Sequence, residues 1–227
     1  MGESYGRSYV FPRNPMTLRA VHRKALRLFP KRILDVAGAA LLLLLMLPFL
    51  IGLSILVLVI DGNPVFFVQE RAGKGGKPFH ILKFRTMIGP ASGKSGPKSP
   101  SPTKLGGFLR KTSLDELPSL WNILLGQMSF VGPRPLFVDY LPLYSEHHAL
   151  RHDVRPGLTG LAQISGRNHL AWKERLDLDV QYIREQSFCF DMWIVARTAI
   201  VAIKGTGVNP RNGSAMSPLE HGYDQGA

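Results

Sequence analysis

Residues Val36–Ile60 read VAGAALLLLLMLPFLIGLSILVLVI. This run of 25 residues carries no charge. At about 1.5 Å per helical residue it is long enough to cross a bilayer. Pro48 sits at its middle. A proline lacks the backbone donor and clashes with the preceding turn, so it kinks or breaks a helix there. Two readings follow. One is a single span with a tolerated kink, the commoner outcome on hydropathy alone. The other is a helix that enters one leaflet, breaks and returns.

The flank before the run is basic. Residues 1–32 carry Arg7, Arg13, Arg19, Arg23, Lys24, Arg27, Lys31 and Arg32 against one acid, Glu3. Such a block marks the cytoplasmic side of a membrane segment. Within it, Thr17–Phe29 reads as a short basic amphipathic helix suited to a membrane surface. The whole chain of 227 residues has net charge +12, which attracts anionic lipid and nucleic acid alike. Aromatic residues are not interleaved with the bases as single-strand binders require, so nucleic acid is not an expected partner. Cys189 is the only cysteine. An internal disulfide is therefore impossible, in keeping with a reducing compartment.

Beyond Ile60 the pattern changes to that of an α/β domain, rich in helix with one small β-hairpin. Val65–Glu70 and Phe79–Arg85 read as paired strands around the turn Gly73-Lys74-Gly75-Gly76. Strand alternation puts Lys83 and Arg85 on one face. Residues 89–102 are composed of small residues, Pro and Lys, as expected of a mobile loop over a site. Leu117, Leu120, Trp121 and Leu124 mark a helix face ending at Gly126. Val138–Asp153, Leu170–Arg184 and Asp191–Lys204 read as helices. His148 and His152 have i,i+4 spacing but no accompanying acidic motif, and a solvated helix face is the expected reading. The stretch from Thr206 onward reads as disordered.

The chemistry concentrates at Ser113-Leu114-Asp115-Glu116-Leu117-Pro118. A structural reading exists: Ser113 and Glu116 match an S-x-x-E capping box. A chemical reading is compatible with it, because a carboxylate at a helix start stays ionised beside an end that also favours phosphate. Four cations support the chemical reading: Lys83, Arg85, Arg110 and Arg134. Arg134 is held between Pro133 and Pro135 after Gly132, and its planar fork suits phosphate.

Six motifs follow in order: Lys31-Arg32-Ile33-Leu34-Asp35; Lys83-Phe84-Arg85-Thr86-Met87; Leu114-Asp115-Glu116-Leu117-Pro118; Met128-Ser129-Phe130-Val131-Gly132-Pro133-Arg134-Pro135; Arg155-Pro156-Gly157-Leu158-Thr159-Gly160; and Gly166-Arg167-Asn168. Over Lys31–Val208 the chain resembles the monotopic polyprenyl-phosphate phosphoglycosyl transferases, the bacterial sugar transferase family, in its small, core-only form. The resemblance implies transfer of a sugar phosphate from a UDP-sugar to undecaprenyl phosphate, with release of UMP. It implies Asp115 as nucleophile forming a phosphosugar–enzyme intermediate, Glu116 as its acidic partner and Mg2+ at Asp115 and Glu116. Lys83, Arg85, Arg110, Arg134, Arg167 and Asn168 are the expected substrate-binding residues. It also favours the re-entrant reading of the apolar run, with amphipathic interface helices and a catalytic domain on the cytoplasmic face of a bacterial inner membrane.

The expected organisation is a basic segment over 1–30, a membrane helix over 31–62 broken near Pro48, a catalytic domain over 63–208 containing the 89–102 loop, and a disordered tail over 209–227. Two positions depart from the family pattern. Leu47 stands where a Ser often precedes the proline, and Gln127 stands where an acid often precedes Met-Ser. Two rival functions remain: a non-catalytic membrane-anchored scaffold, and a glycosyltransferase that releases UDP.

Overall fold

The molecule, described from a computed structural model, is defined over residues 18–88, 101–166, 170–204, 219–220 and 223. The expected binding residues Arg167 and Asn168, and residues 89–100 of the expected loop, lie outside the described residues.

Helix α1 runs from Leu18 to Asp61 and contains both Pro30 and Pro48. The surface segment and the apolar run, read separately from the sequence, are one continuous element. Its helical assignment passes through Pro48, so the proline does not divide it into two helices; the missing donor permits a bend there. Among the described residues, α1 is the one helix long and apolar enough to cross a membrane. Over Pro30–Asp61 its side chains are mostly exposed, with Leu44 at 70% and Val59 at 76%.

Over Pro30–Asp61, both ends of α1 nevertheless dock on the domain. At the first end, Lys31 bridges Asp191 at 2.6 Å. Arg32 donates to the carbonyls of Ile123 and Leu124, and buried Asp35 accepts from the Phe130 amide. Ala39 is buried with Phe79, Ile81, Leu120 and Ile123, with Leu43 against them. At the other end, Leu53 and Val57 are buried with Phe84 and Leu109.

Strands β1 (Phe66–Ala72) and β2 (Pro78–Phe84) form the expected antiparallel hairpin. Two further pairs are too short to be legible in sequence. Strand β3 (Met87–Ile88) pairs with β4 (Ser101–Pro102), so the end of the expected loop is anchored. Strand β5 (Ser129–Val131) pairs in parallel with β6 (Gly157–Thr159).

Helix α2 (Gly106–Thr112) leads through a left-handed Ser113 into a 3-10 turn, Leu114–Ser119, and then α3 (Leu120–Leu124). Gly126, with φ of 85°, ends that helix as expected. The expected helix over 138–153 is instead three short pieces: 3-10 turns at Val138–Leu143 and Leu150–Asp153 flank α4 (Glu146–Ala149). Pro142 lies in the first turn, and Ser145 caps α4 by accepting from the His148 amide. Helices α5 (Leu161–Ser165), α6 (Trp172–Glu185) and α7 (Phe188–Lys204) complete the chain. The tail expected to be disordered includes two anchored residues. Leu219 is buried with Leu136, Leu141 and Leu176, and the Tyr223 hydroxyl lies 2.7 Å from His148 Nδ1.

Candidate active site

The site is set by how the 3-10 turn is fastened to β2. Ser119 donates its hydroxyl to the Leu82 carbonyl, and Asn122 Oδ1 accepts from the Leu82 amide while its Nδ2 donates to the His80 carbonyl. Ser119 and Asn122 are buried. These bonds hold Glu116 opposite Lys83. Gln127 accepts from Asn122 Nδ2 at 2.7 Å, so at this departure from the family pattern the side chain braces the fastening residue.

Glu116 Oε1 accepts from two cations, Lys83 Nζ at 2.6 Å and Arg134 Nη2 at 2.9 Å. Glu116 and Lys83 side chains are each 18% exposed, and Arg134 is 43% exposed. Burial would raise the Glu116 pKa, but Arg134 and Lys83 outweigh it by charge and hydrogen bonding and hold it near 2. Asp115 behaves oppositely. Burial and the neighbouring Glu116 charge raise it to about 6, against the pull of Lys83, Arg134 and Arg110. Two adjacent carboxylates are thus driven apart, the pattern of a pair with distinct chemical roles.

The expected capping box does not form. Ser113 has φ of 58° and makes no side-chain cap. It closes α2 in the left-handed conformation, which leaves the Glu116 side chain free to face Lys83 and Arg134. The acids do lie in the first turn of the helical segment, as expected.

Arg85 is not with Lys83. Strand β2 ends at Phe84, so alternation stops one residue short. The Arg85 guanidinium instead donates to the carbonyls of Asp61, Gly62 and Asn63, where a cation satisfies the end of α1. Arg110 contributes to the field at Asp115 and directs Nη1 at Met87 Sδ, 2.9 Å away.

Arg134 rides on a constrained loop. Gly132 donates to the Thr159 carbonyl, and Gly157 donates to the Pro133 carbonyl. A β-carbon on Gly157 would lie 2.1 Å from the Gly132 nitrogen, so only glycine lets the two segments approach. The buried Arg151 donates Nη2 to the Arg134 carbonyl at 2.7 Å and is gripped by buried Asp179 at 2.8 Å. Sequence reading missed Arg151 and Asp179; a charged residue in an otherwise mixed helix gives no sign of burial.

The two histidines are also not on a solvated face. His148 and His152 are buried. His148 Nε2 lies 2.8 Å from Asp177. His152 Nδ1 lies 3.1 Å from the Gly73 carbonyl.

The donor set suits a hard divalent cation. Among the described residues, Asp115 accepts no hydrogen bond from the protein, and both cations on Glu116 take Oε1, so each carboxylate keeps oxygen for Mg2+ or phosphate-bound water.

Comparison with known proteins identifies the family. The family model described as bacterial sugar transferase matches residues 26–205. The chain is 44% identical over 184 residues to an uncharacterized sugar transferase, EpsL, of Bacillus subtilis, covering 80% of this chain and 91% of that protein. It is 41% identical over 180 residues to a UDP-glucose:undecaprenyl-phosphate glucose-1-phosphate transferase of Caulobacter vibrioides, covering 74% and 67%. The protein of the same description from Escherichia coli is 42% identical over 185 residues, but the match spans only 39% of its length. On a match covering most of its length, this chain belongs to the bacterial sugar transferase family.

Proposed function

We propose that the protein transfers a sugar phosphate from a UDP-sugar to undecaprenyl phosphate at the cytoplasmic face of a bacterial inner membrane, releasing UMP. The observation that carries this reading is the clamp of Lys83 and Arg134 on one oxygen of Glu116, beside an Asp115 that accepts no protein hydrogen bond among the described residues. An acid kept ionised by fixed cations, next to a second acid of raised pKa, suits a nucleophile working on an anionic donor.

In the first half-reaction a carboxylate oxygen of Asp115 bonds to the sugar-side phosphorus. The bond from that phosphorus to the bridging oxygen breaks, and its electron pair leaves on UMP. In the second, a phosphate oxygen of the lipid attacks the same phosphorus and Asp115 departs as carboxylate. One pyrophosphate is exchanged for another, so no further energy source is required. Lys83, Arg110 and Arg134 lower the repulsion between the approaching anions. Asp115 and Glu116 Oε2 would hold Mg2+, which supplies charge neutralisation on the donor phosphates.

The docking of α1 supports membrane entry and return. Lys31, Arg32, Asp35, Ala39 and Leu43 before Pro48, and Leu50, Leu53 and Val57 after it, touch one and the same domain. The six residues between Leu43 and Leu50 cover about 9 Å of helix. A span of the roughly 30 Å hydrocarbon layer would carry one end to the far side. Exposed Phe108, Trp121, Leu125 and Trp193 offer further apolar surface for the interface.

The test uses purified enzyme with a UDP-sugar and magnesium but no lipid. A stoichiometric burst of UMP, with one sugar phosphate added at Asp115 in peptide mass spectra, is the expected result. UMP released only when lipid is present would mean direct transfer. Released UDP would favour the glycosyltransferase rival, and no turnover of any UDP-sugar would favour the scaffold.

A further inference from the structure

Two arginines that the sequence motifs do not single out stand beside Arg134. Arg71 is the penultimate residue of β1. The next residue, Ala72, donates its amide to the Leu136 carbonyl at 2.9 Å, which ties this end of the strand to the Arg134 loop. Arg175 lies in α6, one turn before Asp179. Asp179 grips Arg151, and Arg151 holds the Arg134 carbonyl. The hairpin, the Arg134 loop and α6 are thus fastened to one another.

An aromatic row carries the outer two. The Arg71 guanidinium lies 3.8 Å from the centre of the Phe137 ring. Phe137 meets Tyr140 edge-on at 5.5 Å, and Tyr140 meets Trp172 edge-on at 5.6 Å. Arg175 lies 5.1 Å from the centre of the Trp172 ring. Among the described residues no carboxylate bridges Arg71; its partner is the neutral Gln69. Burial first, and the Arg134 charge second, lower the pKa of both Arg71 and Arg175, Arg71 to about 10. Like charges placed this close favour an anion among them.

We propose that Arg71 and Arg175, with Arg134, form a second anion subsite that takes the nucleoside-side phosphate of the diphosphate donor. This rests on the reading of the site given above. Asp115 must face the sugar-side phosphorus, because that is the atom it attacks. The neighbouring phosphate then lies beyond Arg134, away from Asp115. The bond that breaks leaves its electron pair on the nucleoside monophosphate, whose phosphate gains charge as the transition state forms. Arg71 and Arg175 meet that charge where it develops. Arg134 lies between the two phosphates.

The test compares binding of UMP and uridine to the full-length protein in detergent, by calorimetry. The difference between the two ligands isolates the phosphate. In Arg71→Gln and in Arg175→Gln the preference for UMP over uridine should shrink about tenfold, as for loss of one charge-assisted contact. Since Arg71 packs on Phe137, a second measurement uses the unaltered protein. Phenylglyoxal modification is mapped by peptide mass spectrometry with UMP, with uridine and with neither. UMP alone should protect Arg71 and Arg175. An unchanged preference in both variants, or no protection at either arginine while UMP binds normally, overturns the subsite and leaves the functional reading standing. Failure of the unaltered protein to bind any uridine nucleotide overturns both.

Discussion

Arg151 donates Nη2 to the backbone carbonyl of Arg134 at 2.7 Å. A buried cation therefore holds in place the main chain of a residue whose side chain is partly open to solvent. Asp179 completes the arrangement by binding both Nε and Nη2 of Arg151. Removing one member of a buried ion pair strands the other, at about 3–5 kcal/mol. Arg151→Met or Asp179→Asn should destabilise the domain by that order in chemical unfolding. The double variant Arg151→Met/Asp179→Leu should recover most of that loss. Its turnover should stay well below that of the unaltered protein, because the Arg134 carbonyl then loses its buried donor. Recovery of turnover together with stability would show that the pair serves folding alone.

Arg134 gives one nitrogen to Glu116, and on the proposed function the rest of its fork binds phosphate. Arg134→Lys preserves the charge and loses the fork. Turnover should fall at least about tenfold with the melting temperature little changed. Near-normal turnover in this variant would assign Arg134 a structural role.

Asp115 carries a pH signature. Its pKa in the folded protein, about 6, lies above its ordinary value of 3.8. Without divalent cation, the folded protein thus holds a proton that the unfolded chain has lost between roughly pH 4 and 6, and stability falls as pH rises through that window. Asp115→Asn removes the cost of ionisation. It should raise stability at pH 7.5 by on the order of 1–2 kcal/mol while abolishing the UMP burst. The burst rate of the unaltered enzyme at low magnesium should rise with pH across the same range. An Asp115→Asn protein that is less stable at every pH would contradict the burial of an ionised carboxylate.

His152 has the opposite sign. Burial, with Arg151 second, lowers its pKa from 6.5 to about 3. The stability this contributes is complete above pH 6.5 and is lost as pH falls toward 3, at up to about 1.4 kcal/mol per pH unit. His152→Gln should flatten the acid limb of the unfolding profile. A limb of unchanged slope would assign the acid lability to other groups.

The topology is testable by thiol labelling in a Cys189→Ala background. Cysteines placed at Arg23 and at the exposed Lys104 should react from the same, cytoplasmic side. Labelling from opposite sides of sealed vesicles would establish a single span.

The hairpin, the α6 and α7 helices and the turn at Gly126 were legible because they rest on local periodicity and on glycine's backbone freedom. The acidic pair and Arg134 were legible because proline and adjacent charges leave marks in sequence. Other features depend on distant partners. Arg85 looks like a companion of Lys83 until the strand ends at Phe84 and its guanidinium turns to the end of α1. His148 and His152 look like a solvated face until the helix around them breaks into short turns and both are buried. Arg71 and Arg175 gain meaning only once β1 and α6 are fastened beside Arg134. The docking of α1 on either side of Pro48 likewise depends on contacts as distant as Lys31 with Asp191.

The clasp of Arg85 on the carbonyls of residues 61–63 makes strand β2 and the apolar helix a single lever. Lys83 stands two positions from that clasp, so on the proposed function its height above the bilayer would be fixed by two residues of backbone. An acceptor anchored by its tail has a phosphate confined to one depth. On the proposed function, catalysis then requires the protein to be built to that depth. Loosening the clasp, as in Arg85→Ala, would detune the enzyme toward its lipid while sparing its reaction with the soluble nucleotide.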